Sequence, residues 1–311
     1  MKLVTFEDLA GQSRIGALLG EDRIVDLQAA CALYLRETEG QESAADTLVP
    51  ANMRALFGGG DASLSAARKA LEYIARPSTA GSKGPRGEIL VYSCSEVQLK
   101  APIIPKKFFH TAGNFREHHE EATKAGFSHP VMPWIVFFQN TDAIIGPDAP
   151  VIYPEHLTQE LDYELELAVV LKKAGKHFTP EEAPAYIGGY VIFNDVTARD
   201  IQRREMKSGV FSFCKGIDTF CPLGPWIVTA DEIPDPHNLA MELRVNGEPR
   251  QRSHSSKMSV TIPEILAHYS PMGYSAGDVM ECEIEKIGVL RNPVISWEQA
   301  YGQPARAAQG K

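Results

Sequence analysis

The sequence predicts a strand-rich α+β fold. Short apolar runs recur along the chain, several alternating with period two and bounded by Gly, Pro, Asn or Asp. Helical spacing is confined to a few segments. At 311 residues and 44% hydrophobic, the chain can bury a real core as one large or two modest domains.

Lys2–Phe6 is the first strand, Arg14–Leu19 its hairpin partner and Arg23–Leu27 a third. Gln28–Arg36 has helical character, and Gln41–Thr47 is polar and reads as a loop. Leu64, Ala67, Leu71 and Ile74 share one face of a helix over Ser63–Arg76. Pro77–Arg86, rich in Pro, Gly, Ser and Lys, reads as a flexible connector. This predicts a small α+β domain over 1–100 and a larger second domain over 101–311. In the latter, Lys107–Phe109, Trp134–Phe138, Met241–Val245 and Val279–Ile284 are strand candidates. Asn246-Gly247 is a strong hairpin turn. Ile262–Leu266 opens a helix with proline at its start, and the tail after Trp297 is polar and expected to fray.

Composition excludes several classes. Net charge is −9 and no long basic run is present, which argues against nucleic acid as the main partner. Cys31, Cys94, Cys214, Cys221 and Cys282 are scattered, with no Cys-x-x-Cys pair, so neither a zinc ribbon nor a disulfide framework is indicated. No apolar run is long enough to span a bilayer, and Met1–Asp8 lacks the apolar core of a signal peptide. A reducing, cytoplasmic setting follows as the expectation.

The chemistry concentrates between Gln159 and Gln202. In Asp162–Leu167 acids alternate with Tyr163, Leu165 and Leu167, so Asp162, Glu164 and Glu166 share one face of a strand. Carboxylates one pleat apart repel, and a cation relieves them. Hard oxygen donors suit Mg²⁺, with Mn²⁺ or Ca²⁺ as alternatives. Asp195, at the end of the apolar run Tyr190–Asn194, is the natural third ligand beside Glu164 and Glu166. Arg199 and Gln202 follow at helical spacing, placing acid, guanidinium and amide on one helical face. On a short helix His118 and Glu121 also lie one turn apart, and a carboxylate beside an imidazole fixes its tautomer and makes a water-activating dyad. An isolated Glu-x-Glu or His-x-x-Glu is more often a solvated edge or helix start.

Several motifs, in this order, resemble the fumarylacetoacetate hydrolase family. They are Asn114-Phe115-x-x-His118-x-x-Glu121, Asp162–Val170, Gly188-Gly189-Tyr190, Asn194–Asp200 and Phe220–Trp226. The resemblance covers residues 100–295. It implies a mixed β-roll catalytic domain, a homodimer, and a lid over the His118–Glu121 segment. It also makes Lys215 the lysine that faces the bound ligand, and Ser255, by position, the small hydroxyl offered to substrate. Gln139 stands where relatives often carry lysine, and the stretch between Tyr269 and Asp278 is shorter than the family's.

Together these residues imply metal-assisted carbon–carbon hydrolysis of a small-molecule oxo-carboxylic acid, a β-diketo acid such as an acylpyruvate. Glu164, Glu166 and Asp195 hold the ion and His118, steered by Glu121, activates water. Lys215, Arg199, Gln202 and Ser255 orient and neutralise the substrate. A 2-oxo acid decarboxylase, hydratase or tautomerase needs the same chelation and is the alternative. A non-catalytic dicarboxylate-binding protein is the distant one.

Overall fold

The computed structural model describes residues 1–115, 135–274, 279–281, 287–288, 290 and 292–302. The strands, in chain order, begin with β1 (Lys2–Glu7), β2 (Ser13–Leu19), β3 (Arg23–Asp26), β4 (Val91–Ser93), β5 (Gln98–Lys100) and β6 (Phe108–Ala112). There follow β7 (Ile135–Phe138), β8 (Ile144–Ile145), β9 (Val151–Tyr153), β10 (Leu161–Asp162), β11 (Leu165–Leu171) and β12 (Ile187–Asn194). The last are β13 (Thr197–Ala198), β14 (Cys221–Thr229), β15 (Ala240–Val245), β16 (Glu248–His254), β17 (Val279–Glu281) and β18 (Val294–Ser296). The α-helices are α1 (Leu27–Thr38), α2 (Ala45–Leu48), α3 (Met53–Gly58), α4 (Gly60–Ile74), α5 (Arg199–Met206), α6 (Ile262–Tyr269) and α7 (Trp297–Tyr301).

One sheet runs β4-β3-β2-β1-β14-β12-β11-β17-β6-β7. It is mostly antiparallel, with β17 and β6 parallel. The expected boundary at residue 100 is crossed by backbone pairing, with Lys2 opposite Val228 and Leu3 opposite Ile227. Both faces of the sheet centre are buried. Along β11 the odd residues Leu165, Leu167, Val169 and Leu171 join one core with Ile262, Ile265 and Leu266 of α6. The even residues Ala168 and Val170 join another with Phe108, Phe193 and the helices α1 and α4. Two-sided burial explains why β11, β12 and β14 read as nearly continuous apolar runs. Gly189 belongs to this packing, since a Cβ there would stand 2.6 Å from the Val228 carbonyl oxygen.

Local signals account for the helix ends. Asp26 caps α1 through the amide of Ala29. Thr261 and Glu264 form a capping box on α6, whose first turn carries Pro263. Asn246 and Gly247 both take positive φ, 53° and 81°, as the β15–β16 hairpin turn requires.

Three expectations are corrected. Gln41–Thr47 is not a plain loop: Glu42–Ala44 is a 3₁₀ turn leading into α2, whose Ala45 enters the core. The Pro77–Arg86 connector is tethered. Thr79 is buried against the carbonyls of Tyr73, Ile74 and Arg76, and Lys83 bridges to Ile89. The first residues of the expected fraying tail, Trp297–Tyr301, form α7 under a Ser296–Gln299 capping box, and the rest of it, 303–311, lies outside the described residues. Among the described residues no helix is long and apolar enough to cross a membrane.

Candidate metal site

The site forms near the ends of the paired strands β11 and β12 and of β6, which β17 separates from β11, and the chain leaves β12 through Asp195. Glu166 sits opposite Phe193, in the even-numbered series of β11 that faces Phe108. Before it the expected continuous strand is interrupted. The Glu164 amide donates to the Asn194 side chain (3.0 Å), the Leu165 amide donates to Gln251 Oε1 (3.0 Å), and the Asp195 amide donates to the Glu164 carbonyl (2.8 Å). Asp162 therefore lies in a separate small ladder opposite Thr197, not on one strand face with Glu164 and Glu166. Asp195 likewise precedes the helix instead of riding on it, because α5 begins only at Arg199. Arg199 and Gln202 do share a face of α5, with Nη1 donating to Oε1 at 2.9 Å.

Two cations are locked among the acids. Lys215, 3% exposed, donates from Nζ to Asp195 Oδ2 (2.5 Å), Glu164 Oε2 (2.9 Å) and Thr197 Oγ1 (2.7 Å). Burial pulls this ammonium's pKa down, but Asp195 and Glu164 outweigh it and hold it above the ordinary lysine value. Arg199 pairs with Asp162 (2.7 Å) and with Glu164 Oε1 (2.7 Å); burial opposes its charge, yet these two acids raise its pKa. Both oxygens of Glu164 thus already face a cation. A dication placed on either would share that oxygen with Arg199 or Lys215.

The oxygens that remain point to an ion. Glu166 Oε2 and Asp195 Oδ1 are buried without a hydrogen-bond donor among the described residues. Carboxylate oxygens left so are costly unless a cation satisfies them. Four carboxylates (Asp162, Glu164, Glu166, Asp195) against two cations (Arg199, Lys215) leave two negative charges, which one divalent ion neutralises. His110, Glu166 and Asp195 offer ligand atoms within 4.8 Å of one another, and the His110 Nδ1 lies 3.4 Å from Asp195 Oδ2. The residues present fit a bound metal ion.

Glu164, Glu166, Asp195 and Lys215 line a pocket of about 130 Å³. Its polar wall is Glu164, Glu166, Asp195, Gln202, Lys215 and Gln251; Phe115, Phe137 and Phe211 form an apolar side. Gly113, at φ +73°, turns the chain after β6 into Asn114. The Asn114 side chain clamps both the amide and the carbonyl of Val260, at 2.9 Å each. Lys215 is fixed from behind: Gln139 donates to its carbonyl at 3.1 Å, and Glu205 accepts the amides of Ser212, Phe213 and Cys214. Gln139, the departure from the family pattern, is therefore a support beneath Lys215.

Of the expected site residues, the structure brings Glu164, Glu166, Asp195, Gln202 and Lys215 to one pocket, with Arg199 bound to Glu164. Ser255 is fully buried, accepts the Leu239 amide at 2.9 Å, and is not among the lining residues. From its hairpin, Gln251 lines the pocket instead. His118 and Glu121 lie outside the described residues. Sequence reasoning missed His110 because the strand was ended at Phe109; its position two after Phe108, on the same strand face, was the available signal.

This fold and its acidic, lysine-locked pocket define a chain of the fumarylacetoacetate hydrolase class. Residues 107–279 match the family described as fumarylacetoacetate (FAA) hydrolase C-terminal, and the chain belongs to that family. It is 36% identical to oxaloacetate tautomerase YisK of Bacillus subtilis, across 90% of this chain and 87% of that one. It is 33% identical to the human mitochondrial oxaloacetate tautomerase FAHD2B, across 81% and 82%. The structure of maleylpyruvate hydrolase from Sphingobium sp. SYK-6, in complex with manganese(II) and pyruvate, shares the fold at TM-score 0.69 and 23% identity, across 95% and 99%.

Proposed function

We propose that this protein is a metal-dependent 2-oxo acid tautomerase interconverting the keto and enol forms of oxaloacetate. The observation that carries the reading is a pair of buried oxygens, Glu166 Oε2 and Asp195 Oδ1, without a donor among the described residues, in a pocket that also holds a locked ammonium. The tautomerase relatives YisK and FAHD2B support the choice of reaction. Glu166 and Asp195 would hold a divalent cation, with Glu164 beside them facing Lys215 and Arg199. When bound, the ion would supply Lewis-acidic positive charge to a 2-oxo acid.

The remaining steps belong to the chain's own residues. Lys215 stays charged and adds fixed positive potential where negative charge develops on the enolate oxygen. The Gln202 and Gln251 amides orient the substrate carboxylates, and Phe115, Phe137 and Phe211 keep water from the reacting carbon. His118, with Glu121 fixing its tautomer, moves the proton between C3 and the enol oxygen. A homodimer is part of this reading.

The phenylalanine side of the pocket favours a second reading, hydrolysis of a β-diketo acid whose acyl group rests there. One experiment separates the two. Enol-oxaloacetate decay and acylpyruvate cleavage are followed by ultraviolet absorbance with Mg²⁺ or Mn²⁺ and after EDTA. Metal-dependent acceleration of enol decay alone is expected; cleavage alone moves the assignment to the hydrolase, and enol decay unaffected by EDTA defeats it.

A further inference from the structure

Helix α6 begins with an amide that the helix itself cannot satisfy. Thr261 is its cap: the Glu264 amide turns to Thr261 Oγ1, while Pro263 has no amide to offer. Ile262 is buried, and its amide donates to His237 Nε2 at 3.1 Å. His237 comes from the turn before β15, where its own amide donates to Asp235 Oδ1 at 3.0 Å. An imidazole nitrogen accepts only when it carries no proton, so the contact selects the neutral ring with its proton on Nδ1.

The same stretch of chain reaches the pocket. Both the amide and the carbonyl of Val260 are held by the Asn114 side chain, and the Ser259 amide donates to the Asn114 carbonyl at 2.7 Å. Phe115, on the pocket's apolar side, pairs antiparallel with Met258. Residues 258–262 thus carry the His237 contact at one end and the Asn114 and Phe115 contacts at the other.

Protonation reverses the first contact. An imidazolium would set N–H against N–H and put a positive charge at the amino end of a helix. Burial holds His237 below the ordinary 6.5, outweighing Asp235, 3.9 Å away, and Glu264, the charged groups that face it among the described residues. Hydrogen bonds from Thr261 hold Glu264 below the ordinary 4.5, so it stays ionised where His237 titrates. Because the folded value is the lower one, the seated ring is fully favoured above 6.5 and loses ground as pH falls toward the folded value, by up to about tenfold per pH unit.

We infer that His237 is a positioning residue for the pocket: neutral, it seats the start of α6 and with it the Asn114 clamp and Phe115; protonated, it leaves the Ile262 amide and lets that wall loosen. Binding of the oxo acid therefore weakens in mildly acidic solution. That consequence rests on the reading of the pocket as an oxo-acid site; the coupling of His237 to the clamp does not.

The test compares the full chain with His237→Gln, whose Oε1 accepts an amide without titrating, and His237→Phe, which has no acceptor. Protection of the Val260 and Ile262 amides and of the Asn114 side-chain amide, taken relative to intrinsic exchange, is followed by NMR from about pH 8 to about pH 5, the range in which histidine titrates. KM and kcat for enol-oxaloacetate and an acylpyruvate are measured alongside. Expected in the native chain is protection that falls by up to about tenfold per pH unit below the ordinary histidine value, with KM rising in step and kcat moving little. His237→Gln is expected to lack the step, and His237→Phe to show the low-protection, high-KM state at every pH. No step at these groups in the native chain, or the same step in His237→Gln, overturns the inference. Protection that follows His237 while KM does not overturns the positioning role. If the native chain turns over neither acid, the oxo-acid reading fails, and the protection series alone decides the coupling.

Discussion

Lys215 shows how strongly one side chain can be determined by its neighbours. A buried ammonium is expensive to desolvate, and three acceptors offset that cost. Replacing it with methionine leaves Asp195 Oδ2 and Glu164 Oε2 facing an apolar chain. Lys215→Met is therefore expected to lower stability by about 3–5 kcal/mol, as removal of one partner of a buried pair does, read as a drop in urea midpoint with EDTA present. A loss below about 1 kcal/mol would place the pairing among ordinary surface bridges. The residue types of this site were legible in the sequence: Glu-x-Glu, a second acid at a strand end, and a lysine after the helix all reach one pocket. Their roles were less legible. Period-two alternation placed Glu164 and Glu166 alike, yet the side chains of Asn194 and Gln251 break the strand between them. Contacts made across long sequence separations decide which carboxylate oxygen meets which cation.

At the scale of elements, two short segments set the site's supports. The Ser212–Cys214 turn has its three amides gathered on Glu205, and Lys215 follows at once. Burial raises the Glu205 pKa, but these amides outweigh it and hold it below the ordinary 4.5. Since the folded value is depressed, the stabilisation is present above about pH 4.5 and is lost as pH falls through the folded value. Protection of the amides of 212–214, taken relative to their intrinsic exchange rate at each pH, is expected to fall below that point, and Glu205→Gln to abolish the step; an unchanged step in the variant would assign it elsewhere. The α6 capping box gives a second expectation. Thr261→Ala is expected to cost about 1 kcal/mol, measured as a lowered melting temperature, with little change in metal affinity. Helix caps and the Asn246-Gly247 turn were readable because each is local chemistry. The strand break and the fully buried Ser255 were not, because their partners lie in other elements.

At the scale of the whole molecule, the sheet passes from N-terminal to C-terminal strands without a seam. β1 stands between β2 and β14, and β14 pairs with β12, the strand that leads into Asp195. Leu3, Ile15 and Val25 share a core with Val191, Phe193 and Leu223. Composition around Pro77–Arg86 carries no information about pairing, and a two-domain division rests on composition alone. The consequence appears when the covalent link is removed. A protease that nicks the chain at the exposed residues Gly81–Lys83 severs it while leaving the ladder and the shared core in place. The two fragments are expected to co-elute in gel filtration as a nicked pair and to part only in denaturant, so cleavage at this point should trim a bond and spare the fold.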